Sequence, residues 1–180
     1  MRIEIISGSP RAVSVTKRLA LYLHQFFTDK TEHTVGLIDV HQENLPMMQS
    51  VWNTPEKAPE QYKALAERML SADAYIIVTP EYNAGYSPAM QNLFDYFPKR
   101  THKVFGIATA SVGALGGMRA AQQMLLLMGG LFGIASPFLL VTPFVDKKFD
   151  AEGNLIDESF QASIDTFAHE FLWLAEKVNA

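Results

Sequence analysis

The chain of 180 residues contains no cysteine. That removes disulfides, thiolate nucleophiles and cysteine-ligated metal or iron–sulfur centres together, so any redox chemistry has to be borrowed from a cofactor. Positive charge is scarce as well. Fifteen Lys and Arg against 19 Asp and Glu leave a net charge of −4, which argues against a nucleic-acid partner. Long apolar runs are missing: the greasiest stretch, Met124 to Leu140, is interrupted by Gly129, Gly130, Gly133 and Pro137, and no membrane span is expected. The N-terminus offers one basic residue before a short apolar run and reads as a strand, not a signal peptide. A soluble, cytoplasmic protein is the default expectation. The histidines His24, His33, His41, His102 and His169 stand singly, without metal-ligand spacing, so no metal site is expected.

What is present is a globular composition, 48% hydrophobic and 19% charged, at a length that suits one domain over residues 1–180. Its organising stretch is Arg2 to Arg18. A run of β-branched residues ends in Ser7-Gly8-Ser9-Pro10, and a helical period begins at Val15. Strand, small-residue loop and helix N-terminus in that order form an anion site: free backbone N–H groups carry partial positive charge, Ser9, Ser14 and Thr16 offer hydroxyls, and Arg11 adds a fixed cation. The alternative is an ordinary βα turn with Ser14 as the N-cap. Neither G-x-x-x-x-G-K-[ST] nor G-x-G-x-x-G occurs, so a monophosphate fits better than a nucleoside triphosphate or a dinucleotide.

Further along, Leu19, Tyr22, Leu23, Phe26 and Phe27 continue the first helix. His33–Ile38 reads as the second strand, Asp39 to about Pro55 as a long connection, and Gln61–Ala72 as the second helix. Tyr75–Thr79 is a third strand apolar on both faces. Ser87-Pro88 starts a helix that runs to about Phe97. Lys103–Ala110 is the fourth strand, Met118–Met128 a helix, Ile134–Thr142 the fifth strand, and Phe160 to Val178 the last helix. Alternating strands and helices imply an α/β three-layer fold: a five-stranded parallel sheet in order 2-1-3-4-5 with helices on both faces. Ligands of such sheets bind beyond the C-terminal ends of the strands, where strand order reverses. The loops after Ile6, Thr79 and Ala110 all lie there, and all three are rich in small residues.

If the first loop holds a phosphate, the others shape a pocket for what is attached to it, the second adding Tyr82, Asn83 and Tyr86. A planar redox cofactor with one phosphate is flavin mononucleotide (FMN). Gly8-Ser9-Pro10-Arg11 with Ser14 and Thr16, Pro80-Glu81-Tyr82-Asn83 with Asn92 and Asp95, and Gly116-Gly117-Met118-Arg119 together resemble the NADPH-dependent FMN reductase family, relatives of chromate, quinone and azo-dye reductases. The resemblance covers about the first 140 residues and implies a flavodoxin-like fold. It implies that Ser9, Arg11, Ser14 and Thr16 hold the FMN phosphate with the Val15 amide. It also implies that Pro80, Glu81, Tyr82 and Asn83 line the ribityl chain and ring, and that Ser111, Gly113 and Gly116 close the pyrimidine side. Arg119 and Tyr86 are candidates for contact with NADPH (or NADH) or the acceptor. Two departures stand out: Pro88-Ala89 replaces a Pro-Gly pair, and Gln91 replaces a lysine before Asn92.

The implied chemistry is that of an NAD(P)H-dependent oxidoreductase. Hydride passes to the flavin and then to a small acceptor, with no side-chain nucleophile or general base. The alternatives are a flavodoxin-type electron carrier, disfavoured by the mild charge, and a flavin-free domain of the same fold. The helix from Met118 to Met128 is apolar nearly all round. It is expected to meet a second copy of the chain, as homodimer or homotetramer, or to lie beneath the segment around Phe149.

Overall fold

The computed structural model describes residues 1–180. Strands β1 (Arg2–Ser7), β2 (Thr34–Asp39), β3 (Ala74–Thr79), β4 (Val104–Ala110), β5 (Ile134–Ala135) and β6 (Leu140–Thr142) form one sheet. Its order is β2-β1-β3-β4-β5, with β6 also on β4, and every pairing is parallel. The helices are α1 (Val15–Lys30), α2 (Val40–Glu43), α3 (Lys63–Ser71), α4 (Pro88–Asp95), α5 (Met118–Gly130), α6 (Val145–Lys148) and α7 (Gln161–Val178).

Side chains alternate across a pleated strand, and that period divides the core in two. Ile3, Ile5, Ile76, Val78, Val104 and Ala108 face Leu19, Leu23 and Phe27 of α1 and Ile164, Phe167 and Phe171 of α7. Ile6, Tyr75, Ile77, Phe105 and Ile107 face Leu65, Met69, Met90, Leu93, Phe94 and Met124 of α3, α4 and α5. Strands buried on both faces appear in the sequence as continuous apolar runs. Glu4 breaks that pattern: only 2% exposed, it takes a two-pronged contact from Arg68 on α3, with Nε donating to Oε1 at 3.1 Å. Its register partner on β2 is Gly36, where a Cβ would run into the Glu4 carboxylate and the Arg68 guanidinium, so a side chain there would displace the pair.

The expected fifth strand is interrupted. Between the β4 partners of Ala135 and Leu140, namely Phe105 and Ala108, β4 advances three residues while the opposing chain advances five. The excess contains Pro137, which has no N–H to donate to a ladder. The helix expected from Gln61 begins as a 3-10 turn at Glu60–Tyr62 and becomes α-helical at Lys63, and the Pro88 helix stops at Asp95. The long connection after β2 contains the short helix α2, capped by Asp39, whose Oδ1 accepts from the His41 amide at 3.1 Å. Asn92 pins the same connection. It accepts from Met48 N–H at 2.9 Å and donates to the Pro46 carbonyl at 2.7 Å. Trp52, 3% exposed, is seated against Tyr96 with ring centroids 4.1 Å apart. The Phe149 segment packs on Tyr22 and Phe160 over the α1–α7 face and leaves α5 uncovered. No helix is long and apolar enough to cross a membrane.

Candidate functional site

β1, β3 and β4 end side by side, and the loops that leave them enclose a cleft of about 290 Å³. The first loop and the start of α1 contribute Ser9, Arg11, Val13, Ser14, Val15 and Thr16. The second contributes Pro80, Glu81 and Tyr82, and the third Ala110, Ser111 and Val112. Asn83, Gly113 and Gly116, placed with these by the sequence, lie outside this lining, as do Arg119 and Tyr86. Val13 and Val112 form part of it without carrying any sequence signal of chemistry. Their exposure, 91% and 55%, gives the mouth an apolar rim.

The floor is an anion-receptive helix end. Ser14 caps α1, its Oγ accepting from Lys17 N–H at 3.3 Å. The first amides of a helix have no acceptor within it, so those of Val15 and Thr16 remain for a ligand. Ser9 and Thr16 are buried, and their hydroxyls make only long contacts: Ser9 Oγ accepts from Arg11 N–H and Thr16 Oγ1 donates to the Ala110 carbonyl, each at 3.4 Å. Such contacts are weak and readily exchanged. The Arg11 side chain spans the mouth, its guanidinium carbon 4.9 Å from the centroid of the Tyr82 ring. Behind the cap, Lys17 pairs at 2.6 Å with Asp39, which is nearly buried.

The loop itself is held by Ser87, which is fully buried. Its hydroxyl donates to the Gly8 carbonyl and accepts from Met90 N–H at 3.1 Å as the N-cap of α4, while its own N–H reaches Thr79 Oγ1 at 3.3 Å. Gly8 N–H in turn donates to the Val78 carbonyl at 2.8 Å. One side chain therefore ties the first loop, the end of β3 and the start of α4 together.

The second loop turns back at Tyr82-Asn83-Ala84-Gly85. Tyr82 and Gly85 exchange both backbone hydrogen bonds, at 2.8 and 3.0 Å, and Asn83 and Ala84 take φ of 51° and 67°. This is the type I′ geometry. Asn83 suits it, and its side chain is turned to solvent. Tyr86 donates to Gln91 Oε1, and Gln91 Nε2 donates to Asp95 at 2.6 Å. Tyr86 thus lies along α4, where burial first and the Asp95 charge second push its phenol above the ordinary value. Gln91, the departure from the lysine pattern, serves that chain of contacts.

Glu81 is 11% exposed at its side chain and reaches out of the loop to α5: Oε1 accepts from Arg119 Nε and Nη2, both at 2.8 Å, and Oε2 from Arg119 N–H at 3.2 Å. Gly116 and Gly117, which precede α5, adopt φ of 60° and 89°. A Cβ at Gly116 would come within 2.6 Å of Pro143 N, so the glycine pair brings the third loop against the end of β6.

A wider groove of about 530 Å³ runs along α1 beside Gly153, floored by Tyr22 and Phe26. It lies away from the strand ends where the three small-residue loops converge, and it is closed by Glu158 and by Gln161 at the start of α7. No group of three or more His, Asp or Glu is arranged to hold a metal ion.

Residues 1–141 match the model of the NADPH-dependent FMN reductase family. The chain belongs to that family. Among curated relatives of the reductase, an FMN-dependent NADPH-azoreductase of Staphylococcus aureus (strain USA300) is 27% identical over 176 residues, 93% of this chain and 92% of the relative. An NADPH azoreductase of Bacillus sp. (strain OY1-2) is 27% identical over 139 residues, 76% of this chain and 74% of the other. Among solved structures, the fold is similar to FerB, a flavoenzyme NAD(P)H:(acceptor) oxidoreductase from Paracoccus denitrificans. That match has a TM-score of 0.79 at 22% identity and covers 98% of this chain and 97% of that one. The three loops of the cleft fall inside the family match.

Proposed function

We propose that the protein is an NAD(P)H-dependent oxidoreductase that binds FMN at this cleft and reduces a small acceptor of the quinone, azo, chromate or free-flavin type. The observation that carries the reading is the convergence of the α1 N-terminus, Ser9, Ser14, Thr16 and Arg11 with the Pro80–Tyr82 and Ser111 loops at the reversal of strand order. The residues fit the cofactor. The first amides of α1 have no acceptor, the buried Ser9 and Thr16 hydroxyls make only 3.4 Å contacts, and the Tyr82 hydroxyl is buried without a partner, so donors for a phosphate and a polar ring are available. The volume, about 290 Å³, stands at the low end for a whole small-molecule pocket, which suits a ligand whose reactive part stays accessible.

When bound, FMN accepts a hydride from NAD(P)H and hands two electrons to the acceptor, the two substrates taking turns in a ping-pong cycle. The protein's share is placement. Val15 and Thr16 amides with the Ser9 and Ser14 hydroxyls hold the phosphate at the α1 N-terminus. Arg11 supplies a charge-assisted contact from the rim. Pro80, Glu81 and Tyr82 flank the ribityl chain and ring, and Ser111 with the Val112 backbone shapes the side where backbone amides stabilise charge that develops during reduction. Val13 and Val112 keep the mouth apolar for a flat acceptor. On α5, Leu125 and Leu126 are 42% and 71% exposed, and this side pairs with a second copy in a homodimer or homotetramer.

The test is an anaerobic absorbance titration of the FMN-loaded protein. NADPH is expected to bleach the flavin band and a quinone to restore it. Flavin that binds yet stays oxidised would assign an electron carrier, and absence of flavin binding would overturn the site.

A further inference from the structure

Glu81 puts a carboxylate in the wall of a cleft that we read as an FMN site, and this inference rests on that reading. Its charge does not stand alone. The Arg119 guanidinium forks onto Oε1 with two 2.8 Å contacts, and the α5 backbone amide holds Oε2 at 3.2 Å. The two partners are unequal in their surroundings. The Glu81 side chain is 11% exposed and lines the cleft, whereas that of Arg119 is 59% exposed and does not. Charges in a poorly solvated wall act on a neighbour more strongly than charges in water.

Hydride uptake adds two electrons and one proton to FMN, so without a second proton the reduced cofactor carries one more negative charge than the oxidised one. An uncompensated carboxylate in the wall disfavours that form. We infer that Arg119 is present to neutralise Glu81, and that the Glu81–Arg119 pair sets the reduction potential of the bound flavin. The position of Arg119 agrees with this role and not with a free arm for substrate. Its guanidinium is already committed to Glu81, and it hangs from the first turn of α5, where the helix dipole also favours the carboxylate.

The electrostatic account makes the two single variants move in opposite directions. Glu81→Gln leaves Arg119 unopposed and tightens reduced FMN relative to oxidised FMN by about tenfold, a rise of about 30 mV in a two-electron potential. Arg119→Gln leaves Glu81 unopposed and lowers the potential, by less because Arg119 is the more solvated partner. The double variant falls between the singles. The measurement is a spectroelectrochemical titration of each FMN-loaded variant, with affinity for oxidised FMN recorded alongside. A clamp that merely tied two loops together would weaken binding in all three variants and shift the potential in one direction, and that result would overturn the inference. Equal potentials in all four proteins would overturn it too. Failure of the wild-type protein to bind FMN is a separate outcome and refutes the underlying site instead.

Discussion

Ser87→Ala is the most informative single change, because one hydroxyl supports both the fold and the phosphate loop. The substitution removes the α4 N-cap, which typically costs about 1 kcal/mol. It also strands the Gly8 carbonyl at a site with no solvent exposure, and a buried acceptor left without its donor costs about 1–3 kcal/mol. Together the loss is about 2–4 kcal/mol, a large part of the roughly 5–15 kcal/mol that holds a domain folded. With a urea m-value of about 2 kcal/mol/M, the midpoint of unfolding drops by roughly 1–2 M while m stays constant. Equilibrium urea unfolding of the flavin-free protein reads this directly. Affinity for FMN is expected to fall in parallel, since Gly8 leads into Ser9. A midpoint shift below about 0.3 M would refute the argument that the Ser87 hydroxyl ties the first loop to the start of α4. A full shift in stability with unchanged FMN affinity would show that the first loop keeps its shape without the anchor.

Gly116→Ala is expected to destabilise by about 2–5 kcal/mol. A left-handed φ costs a side chain about 1–2 kcal/mol, and forced contact with Pro143 adds about 1–3, read as a fall in thermal midpoint. Ala84→Gly acts oppositely: relief of strain at φ 67° is set against a freer unfolded chain, giving a change between zero and about +1 kcal/mol. Stability below this range would refute the type I′ assignment. Ser159 and Lys148 hold the Asp157 carboxyl below its ordinary range, and Asn154 does the same for Asp150. A depressed carboxylate contributes stability above its unfolded value, lost as pH falls through the folded one. The connection between α6 and α7 should therefore loosen below about pH 4, seen as amide exchange there before elsewhere, and Asp157→Asn should abolish the Asp157 part.

Legibility in the sequence followed burial. β1, β3 and β4 are covered on both faces, so their apolar runs stand out, and the loops that follow them carry enough glycine, serine and proline to be singled out. Glu4 could not be read from such a run, because its cost is offset by Arg68, sixty-four residues away. Gly36, a glycine in a strand, was the one local hint of a close approach. Ile134–Thr142 reads as one strand in spite of Pro137, because the two-residue excess that breaks it appears only against the register of β4. Asn92 belongs to the family pattern in sequence, and the structure commits its side chain to the Pro46–Met48 backbone. Among the loop residues, Ser9, Ser14 and Thr16 are adjacent in sequence and stayed together in space. Asn83 and Gly113, chosen by the same reasoning, lie outside the lining.

Local chemistry is encoded locally, and this chain's own residues determined it: where strands run, where α1 and α4 are capped, and that three small-residue loops follow three buried strands. Parallel topology follows as well, because alternating elements leave few ways to cover a sheet. Only the tertiary structure decided which charges meet. Arg119 pairs with Glu81 and Arg11 lies over Tyr82 because β1, β3 and β4 end together at one edge of the sheet. Such pairings depend on distances set by packing across dozens of residues, and no spacing along the chain carries that information.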